Sequence, residues 1–209
     1  MPYILCHSVN AVHVPDITLE NEKELYAKHD FWGFIDKYWD RGKKISQEQV
    51  ERYIPKKAFM NKSKKTFSAF SSIRFFISYT EEFKEKIEEL EPGVHQFFPI
   101  EIYRKDGSLL ERPVYLMNIC TQLDSLMVEK SEKLQRITMP PNVVDPELYT
   151  IIPNISTIVL NGDIIKGHHI WMEKHISGMN RYFYSDKLVA FVKKQKLHGM
   201  EVATKVIVV

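Results

Sequence analysis

Apolar and polar positions change period several times along this chain, and each change marks an element. Between Phe75 and Ile102 a short apolar run, Phe75 to Ile77, gives way to a helical pattern. Tyr79, Phe83, Ile87 and Leu90 share one side of a 3.6-residue helix, while Glu81, Glu82, Glu85, Glu88 and Glu89 fill the remainder. Ser78 with Glu81 three residues on spells a capping box, which predicts the helix start there. Glu91-Pro92-Gly93 ends it, because proline cannot continue the ladder and glycine accepts the left-handed conformation that closes a helix. Val94 to Ile102, rich in aromatic and β-branched residues, follows as a strand.

The same order recurs at the C-terminus. Tyr182 to Tyr184 precedes Ser185, a helix carries Leu188, Phe191, Val192 and Leu197, and Gly199 leads into Met200 to Val209. Two strand-helix-strand units predict an α+β or mixed α/β fold, a mixed β-sheet with helices packed on it. An internal duplication would produce this pattern, and so would the ordinary Ser and Gly punctuation of any α/β chain. Val94–Arg104 and Leu109–Cys120 flank Lys105-Asp106-Gly107-Ser108, which predicts a central β-hairpin. Pro99 and Pro113 fall inside these runs and predict an unpaired side or a bulge.

Elsewhere the pattern is plainer. Tyr3 to Val14 reads as a strand ended by Pro15-Asp16, followed by a polar acidic passage to Lys28. Phe31, Phe34, Ile35, Tyr38 and Trp39 predict an aromatic helix over Asp30 to Asp40, and Ser46 starts another toward Ile54, broken by Pro55. Lys56 to Ser72 reads as an exposed connection, Leu123 to Gln135 as a weak helix, and Pro140 to Pro146 as an irregular crossing. Ile151–Leu160 and Ile164–Met172 read as strands about an Asn161-Gly162-Asp163 turn, with a further turn at Ser177-Gly178. Residues 1–66 are expected to pack, as an N-terminal strand and helices, against a 67–209 core in one globule.

Composition narrows the class more than the function. The chain of 209 residues, 44% hydrophobic and 12% aromatic, has ample material for a core, and 27% charged residues without a biased tract exclude a disordered chain or a repeat array. A net charge of +2 selects no partner, but its distribution is uneven. Carboxylates crowd Glu81 to Glu91, and lysines gather at 56, 57, 62, 64 and 65. The start, MPYILCHSVNAVHV, has neither the basic n-region nor the apolar h-region of a secretion signal, and no stretch reaches membrane-spanning length. The expectation is a cytoplasmic protein, away from membranes, with Cys6 and Cys120 reduced.

Candidate chemistry is thin. His169, Trp171, Glu173 and His175 alternate onto one strand face at a spacing a metal could use, yet a lone strand supplying every ligand would be unusual, so no metal is expected. His95 and Cys120 fall on paired hairpin strands and invite a small α/β enzyme with a His/Cys pocket, though no third group orients the base. Cys6 and His7 are neighbours on a strand and point to opposite faces. There is no Gly-rich phosphate loop and no nucleophile elbow, and no cofactor is expected. Lys56 to Lys65 with Phe59, Phe67 and Phe70 spell a nucleic-acid binder that the overall charge does little to support.

Four blocks carry a resemblance. LEPGVHQFFPIEI (Leu90 to Ile102), the hairpin strand Tyr115-Leu116-Met117-Asn118-Ile119, GHHIW, and YFYSDKL followed by HGMEV are similar, in that order, to immunity-protein family eleven of bacterial polymorphic-toxin systems. The likeness covers about Phe67 to the C-terminus, and it departs from the family at Met172, where members usually carry arginine. It implies a non-enzymatic protein that binds and neutralises a cognate toxin, the toxin's C-terminal domain being encoded by the adjacent gene and often delivered by a type VI or contact-dependent route. Within the blocks, Pro92, Gly93, His95, Gln96 and Phe98, with His169 and Trp171, are expected to be structural. Glu81, Glu85 and Glu88, on one strip of the acidic helix, are expected to meet the toxin.

Overall fold

The computed structural model describes residues 3–7, 16–39, 41–62, 67–137, 148–152, 155–177 and 182–209, with backbone alone for 3–7 and 200–205. In chain order the elements are β1 (Tyr3–His7), β2 (Ile17–Leu19), α1 (Glu22–Ala27), α2 (Phe31–Lys37), α3 (Gln47–Tyr53), β3 (Lys57–Met60), β4 (Phe70–Ile73), β5 (Phe76–Thr80), α4 (Glu81–Leu90) and β6 (Gln96–Tyr103). They continue with β7 (Val114–Asn118), β8 (Gln122–Leu123), a 3-10 turn at Val128–Lys130, β9 (Gln135–Arg136), β10 (Tyr149–Thr150) and β11 (Thr157–Leu160). The last are α5 (Gly162–Ile165), β12 (Ile170–Glu173), β13 (Tyr182–Tyr184), α6 (Asp186–Lys194) and β14 (Met200–Val208).

The strands form two mixed six-stranded sheets, β2-β3-β6-β7-β5-β4 and β11-β14-β1-β13-β12-β8, plus the pair β10-β9. The fold is α+β, as the pattern predicts. Both strand-helix-strand units are present, and they share a plan. In the first, β7 lies between β5 and β6 and runs antiparallel to each. In the second, the gap between β13 and β14 is filled the same way, by the N-terminal strand β1. Outside these, β3 runs parallel to β6 and β11 parallel to β14, while β4 and β12 pair antiparallel with β5 and β13. The two halves are thus alike in topology, except that the second takes its central strand from the start of the chain.

Strand alternation distributes side chains over three cores. Phe76, Val114 and Leu116 face a core shared with Phe31, Phe34 and Trp39 of the N-terminal segment. On the other face of the same strands, Ile77, Tyr79, Met117 and Ile119 meet Phe83 and Ile87 of α4, Leu188, Val189 and Val192 of α6, and Ile170, Met172, Tyr182 and Tyr184 of the second sheet. Trp171 and Phe183, on the far side of that sheet, stack at 5.6 Å in the third core. These strands read as continuous apolar runs because both of their faces are buried.

Several expectations shift. Ser78 is not a helix cap: it lies buried inside β5, where its hydroxyl donates to the Ser71 carbonyl at 3.0 Å, and α4 starts two residues later than predicted, after Thr80. Sheet pairing on both sides of β5 outweighs the capping spelling. Lys56–Ser72 contains β3 and the start of β4 rather than one exposed connection, and the acidic passage before Lys28 holds β2 and α1. Leu123–Gln135 forms only a 3-10 turn flanked by β8 and β9. The predicted central hairpin forms to its tip: Ile100 faces Val114, Tyr103 bridges Leu109, and the Arg104 N–H donates to the Ser108 carbonyl at 2.7 Å around the Asp106-Gly107 turn, with the ladder interrupted between Leu110 and Val114. Pro99 faces Tyr115 of β7, while β3 pairs only from Glu101 onward, so the proline occupies a place where β6 has one neighbour. Ser46 makes the expected capping box with Gln49, and Ser185 accepts the Leu188 N–H. Residues 8–14 of the first predicted strand, the Pro140 to Pro146 crossing and Gly178 lie outside the described residues.

Candidate functional site

The carboxylate of Glu91 links two of the four sequence blocks. It sits at the end of α4, 5% exposed, because the helix stops there and Gly93 turns the chain back at φ +66°. His95 Nε2 lies 3.2 Å from Glu91 Oε2, and the backbone N–H of Ile170 in β12 donates to the same oxygen at 3.0 Å. His168 Nδ1 lies 3.6 Å from Oε1. Burial pushes the Glu91 carboxyl up, but hydrogen bonds from His95 and from the His169 and Ile170 N–H groups outweigh it, leaving the pKa below the ordinary glutamate value. One ionised side chain therefore joins the end of α4, the start of β6 and the start of β12.

His95 is fixed from both sides. The Cys120 backbone N–H donates to Nδ1 at 3.1 Å, so Nδ1 carries no proton and Nε2 is the donor to Glu91. The predicted approach of His95 and Cys120 is real, but it runs through the cysteine backbone. With both ring nitrogens committed, His95 is not placed as the base of a thiol nucleophile. The Cys120 thiol instead lies 3.5 Å from the Lys43 carbonyl and 3.4 Å from that of Asn118.

Gln96 holds the opposite side of the corner. Its amide accepts the Ile45 N–H at 2.7 Å and donates to the Ile45 carbonyl at 3.0 Å, a two-point clamp on the segment before α3. Asn118 adds a bond to the Lys43 carbonyl at 2.8 Å, and Lys44 reaches the Gly93 carbonyl at 2.7 Å. Phe98 packs 6.0 Å from Trp39. Pro92 is exposed, while His169 meets the Ser185 hydroxyl at 2.8 Å, joining the GHHIW block to the cap of α6. Burial holds the His169 pKa below the ordinary histidine value. Met172 is fully buried between the two units.

The other candidates disperse. Glu173, 1% exposed, accepts the Ser125 hydroxyl at 2.6 Å, and burial pushes its carboxyl up. His175 pairs with Asp124 at 3.0 Å. Of the basic run, Lys57 lies 3.4 Å from Glu20 and Lys62 3.8 Å from Asp16, while Phe67 and Phe70 are core residues, so no basic aromatic face forms among the described residues. On α4, Glu85 is exposed, Glu81 accepts from the Tyr115 hydroxyl at 3.2 Å, and Glu88 accepts the Gly93 N–H at 3.2 Å. An open groove of about 500 Å³ lies between α2 and α3, lined by Asp30, Lys37, Tyr38, Arg52 and Tyr53 among others, and no residue of the four blocks lines it.

Comparison with known proteins decides the family. The family model described as Immunity protein family (Imm11) matches residues 9–205. The chain belongs to the Immunity protein family. No curated protein matches it. The match starts well before Phe67, so the segment that supplies α1 to α3 and the first core is part of the family unit. That correction has a structural basis: Gln96 and Asn118 of the blocks grip residues 43–45, tying the two regions together. Sequence reading counted Glu91 with the solvated acidic face and gave Asn118 no role of its own. The one available signal was position, since Glu91 directly precedes the Pro-Gly stop at the edge of the helix's apolar side.

Proposed function

We propose that this immunity-family protein protects cells by binding a cognate toxin domain and blocking it through protein–protein contact, without catalysis of its own. Family membership across 9–205 assigns toxin immunity in general, and the finer reading rests on how the blocks are used. Their polar residues, Glu91, His95, Gln96, Asn118 and His169, are spent on joining the two units and the N-terminal segment. Chemistry confined to scaffolding leaves the surface as the working part. The acidic strip of α4, Glu81, Glu85 and Glu88, is the toxin-facing surface that we place first.

The partner is the C-terminal domain of a secreted toxin encoded beside this gene, delivered by a type VI or contact-dependent route, and the site of action is the cytoplasm. No described helix is long and apolar enough to cross a membrane. The test is co-expression of this chain with the C-terminal domain of the neighbouring gene product. Rescue of growth and co-elution as a stoichiometric complex are expected. Rescue without complex formation, by turnover of the toxin or its product, would favour the enzyme reading instead.

A further inference from the structure

Sheet one is covered unevenly. On the side that α4 occupies, the helix lies over β5 and β7, where Ile77, Tyr79 and Met117 are buried beneath Phe83 and Ile87. Toward β3 the same face opens. Residues 97, 99, 101 and 103 of β6 share this face, and Phe59 of β3 stands opposite Tyr103. Phe59 is 41% exposed, and its ring stacks on that of Tyr103 at 5.5 Å, with 22° between the planes. Its neighbours Ala58 and Met60 point the other way, into the first core.

Carboxylates outnumber cations on this face, where Glu81, Glu85 and Glu101 stand with Lys57 and Lys84. Lys57 is drawn to Glu20, and Lys84 lies over the Tyr115 ring at 4.4 Å, showing that rings on this face already hold a cation. Glu101 accepts the Tyr103 hydroxyl at 2.8 Å and also attracts Lys57, its partner across the strand pair, while Glu81 accepts the Tyr115 hydroxyl. Glu85 is exposed on the adjoining strip of α4. The exposed Phe59 ring, with half-buried Tyr103 beside it and carboxylates at its rim, matches a surface that presents lysine and arginine, whose stems lie on rings while their charges meet carboxylates.

From this we infer that the open face of sheet one, centred on Phe59 and Tyr103 and rimmed by Glu101, Glu81 and Glu85, is the docking surface for a basic face of the toxin domain. The inference rests on the immunity reading and makes the α4 strip the rim of a larger interface rather than its centre. The ring stack is held by the sheet, so docking orders few side chains.

The experiment uses the full chain and the C-terminal toxin domain of the neighbouring gene product, by surface plasmon resonance at low and moderate salt. Phe59→Ser is expected to speed dissociation, and Glu85→Lys with Glu101→Lys to slow association by about tenfold or more at low salt. Thermal stability should stay near wild type, since these side chains are outside the cores. Hydrogen exchange in the complex should slow over 57–60 and 96–103. Wild-type binding and exchange retained by both variants would overturn this surface while leaving the immunity reading intact. So would loss of binding on Trp32→Ala alone, which would move the interface to the separate exposed Trp32–Phe75 pair. If the wild-type chain neither binds nor protects, the reading and this surface fall together.

Discussion

Tyr79 and Tyr184 hold the same place in the two units, each the residue before the N-cap of its helix, and their hydroxyls meet at 3.0 Å in the shared core. Contact between equivalent residues is what a self-matching, two-fold-like arrangement produces. Helices α4 and α6 also pack against each other there. Phe83 lies over the Tyr79 ring at 4.5 Å, so the tyrosine is held by stacking as well as by its hydroxyl.

The pair should be energetically coupled. Tyr79→Phe and Tyr184→Phe are each expected to cost about 1–2 kcal/mol, and the double variant less than their sum, because a buried hydroxyl left behind by one change is removed by the other. Urea denaturation of the four proteins in the cycle measures this, and strict additivity would mean that the contact carries no net energy.

The junction at Glu91 predicts an acid-sensitive fold. Its pKa is depressed in the folded state, so its contribution to stability is full above the ordinary glutamate value of about 4.3 and is lost as pH falls through the lower folded value. Glu173 acts in the opposite sense, its raised value removing stability as pH climbs past the ordinary one. Glu91→Gln should lower stability near neutrality by about 1–3 kcal/mol and flatten the acid decline. Melting curves from roughly pH 3 to 7 would show an unchanged acid slope if Glu91 were not the group responsible.

Gly93 and Gly199 should differ in cost. Both have positive φ, but a Cβ at Gly93 meets nothing within 4 Å, whereas at Gly199 it would lie 2.4 Å from the Phe70 carbonyl oxygen of β4. Gly93→Ala is therefore expected to cost about 1–2 kcal/mol of backbone strain, with Gly93→Val costing more. Gly199→Ala should cost more than Gly93→Ala, because the edge of the first sheet must also move. Equal melting temperatures for the two alanine variants would count against that close approach.

Removing the Gln96 amide should free the N-terminal segment locally. Gln96→Ala is expected to raise amide exchange at Ile45 and through the start of α3, at a cost of about 2–3 kcal/mol for the two bonds to Ile45 and the one accepted from Asn118. Toxin binding by the folded variant should persist. Its loss without a change in exchange would make the clamp part of the interface.

Local chemistry along the chain was enough to place α3 with its Ser46 box, α6 with its Ser185 cap, the Gly93 stop and the aromatic helix α2, because caps, stops and helical periodicity act within one or two turns. It was also enough to identify the blocks of family likeness and the shared plan of two units. What it could not place depended on partners far along the chain. Ser78 became a strand residue because β4 and β7 flank it, and β3 emerged from an apparent lysine loop because β6 pairs with it in parallel. Glu91 reads as one more glutamate of an acidic helix until Ile170, 79 residues away, donates to it. Likewise Phe59 and Phe70 look alike in sequence, and only the limited reach of α4 across the sheet leaves one exposed and buries the other. Burial and cross-strand pairing are set by which segments meet, and those meetings have no local period to read.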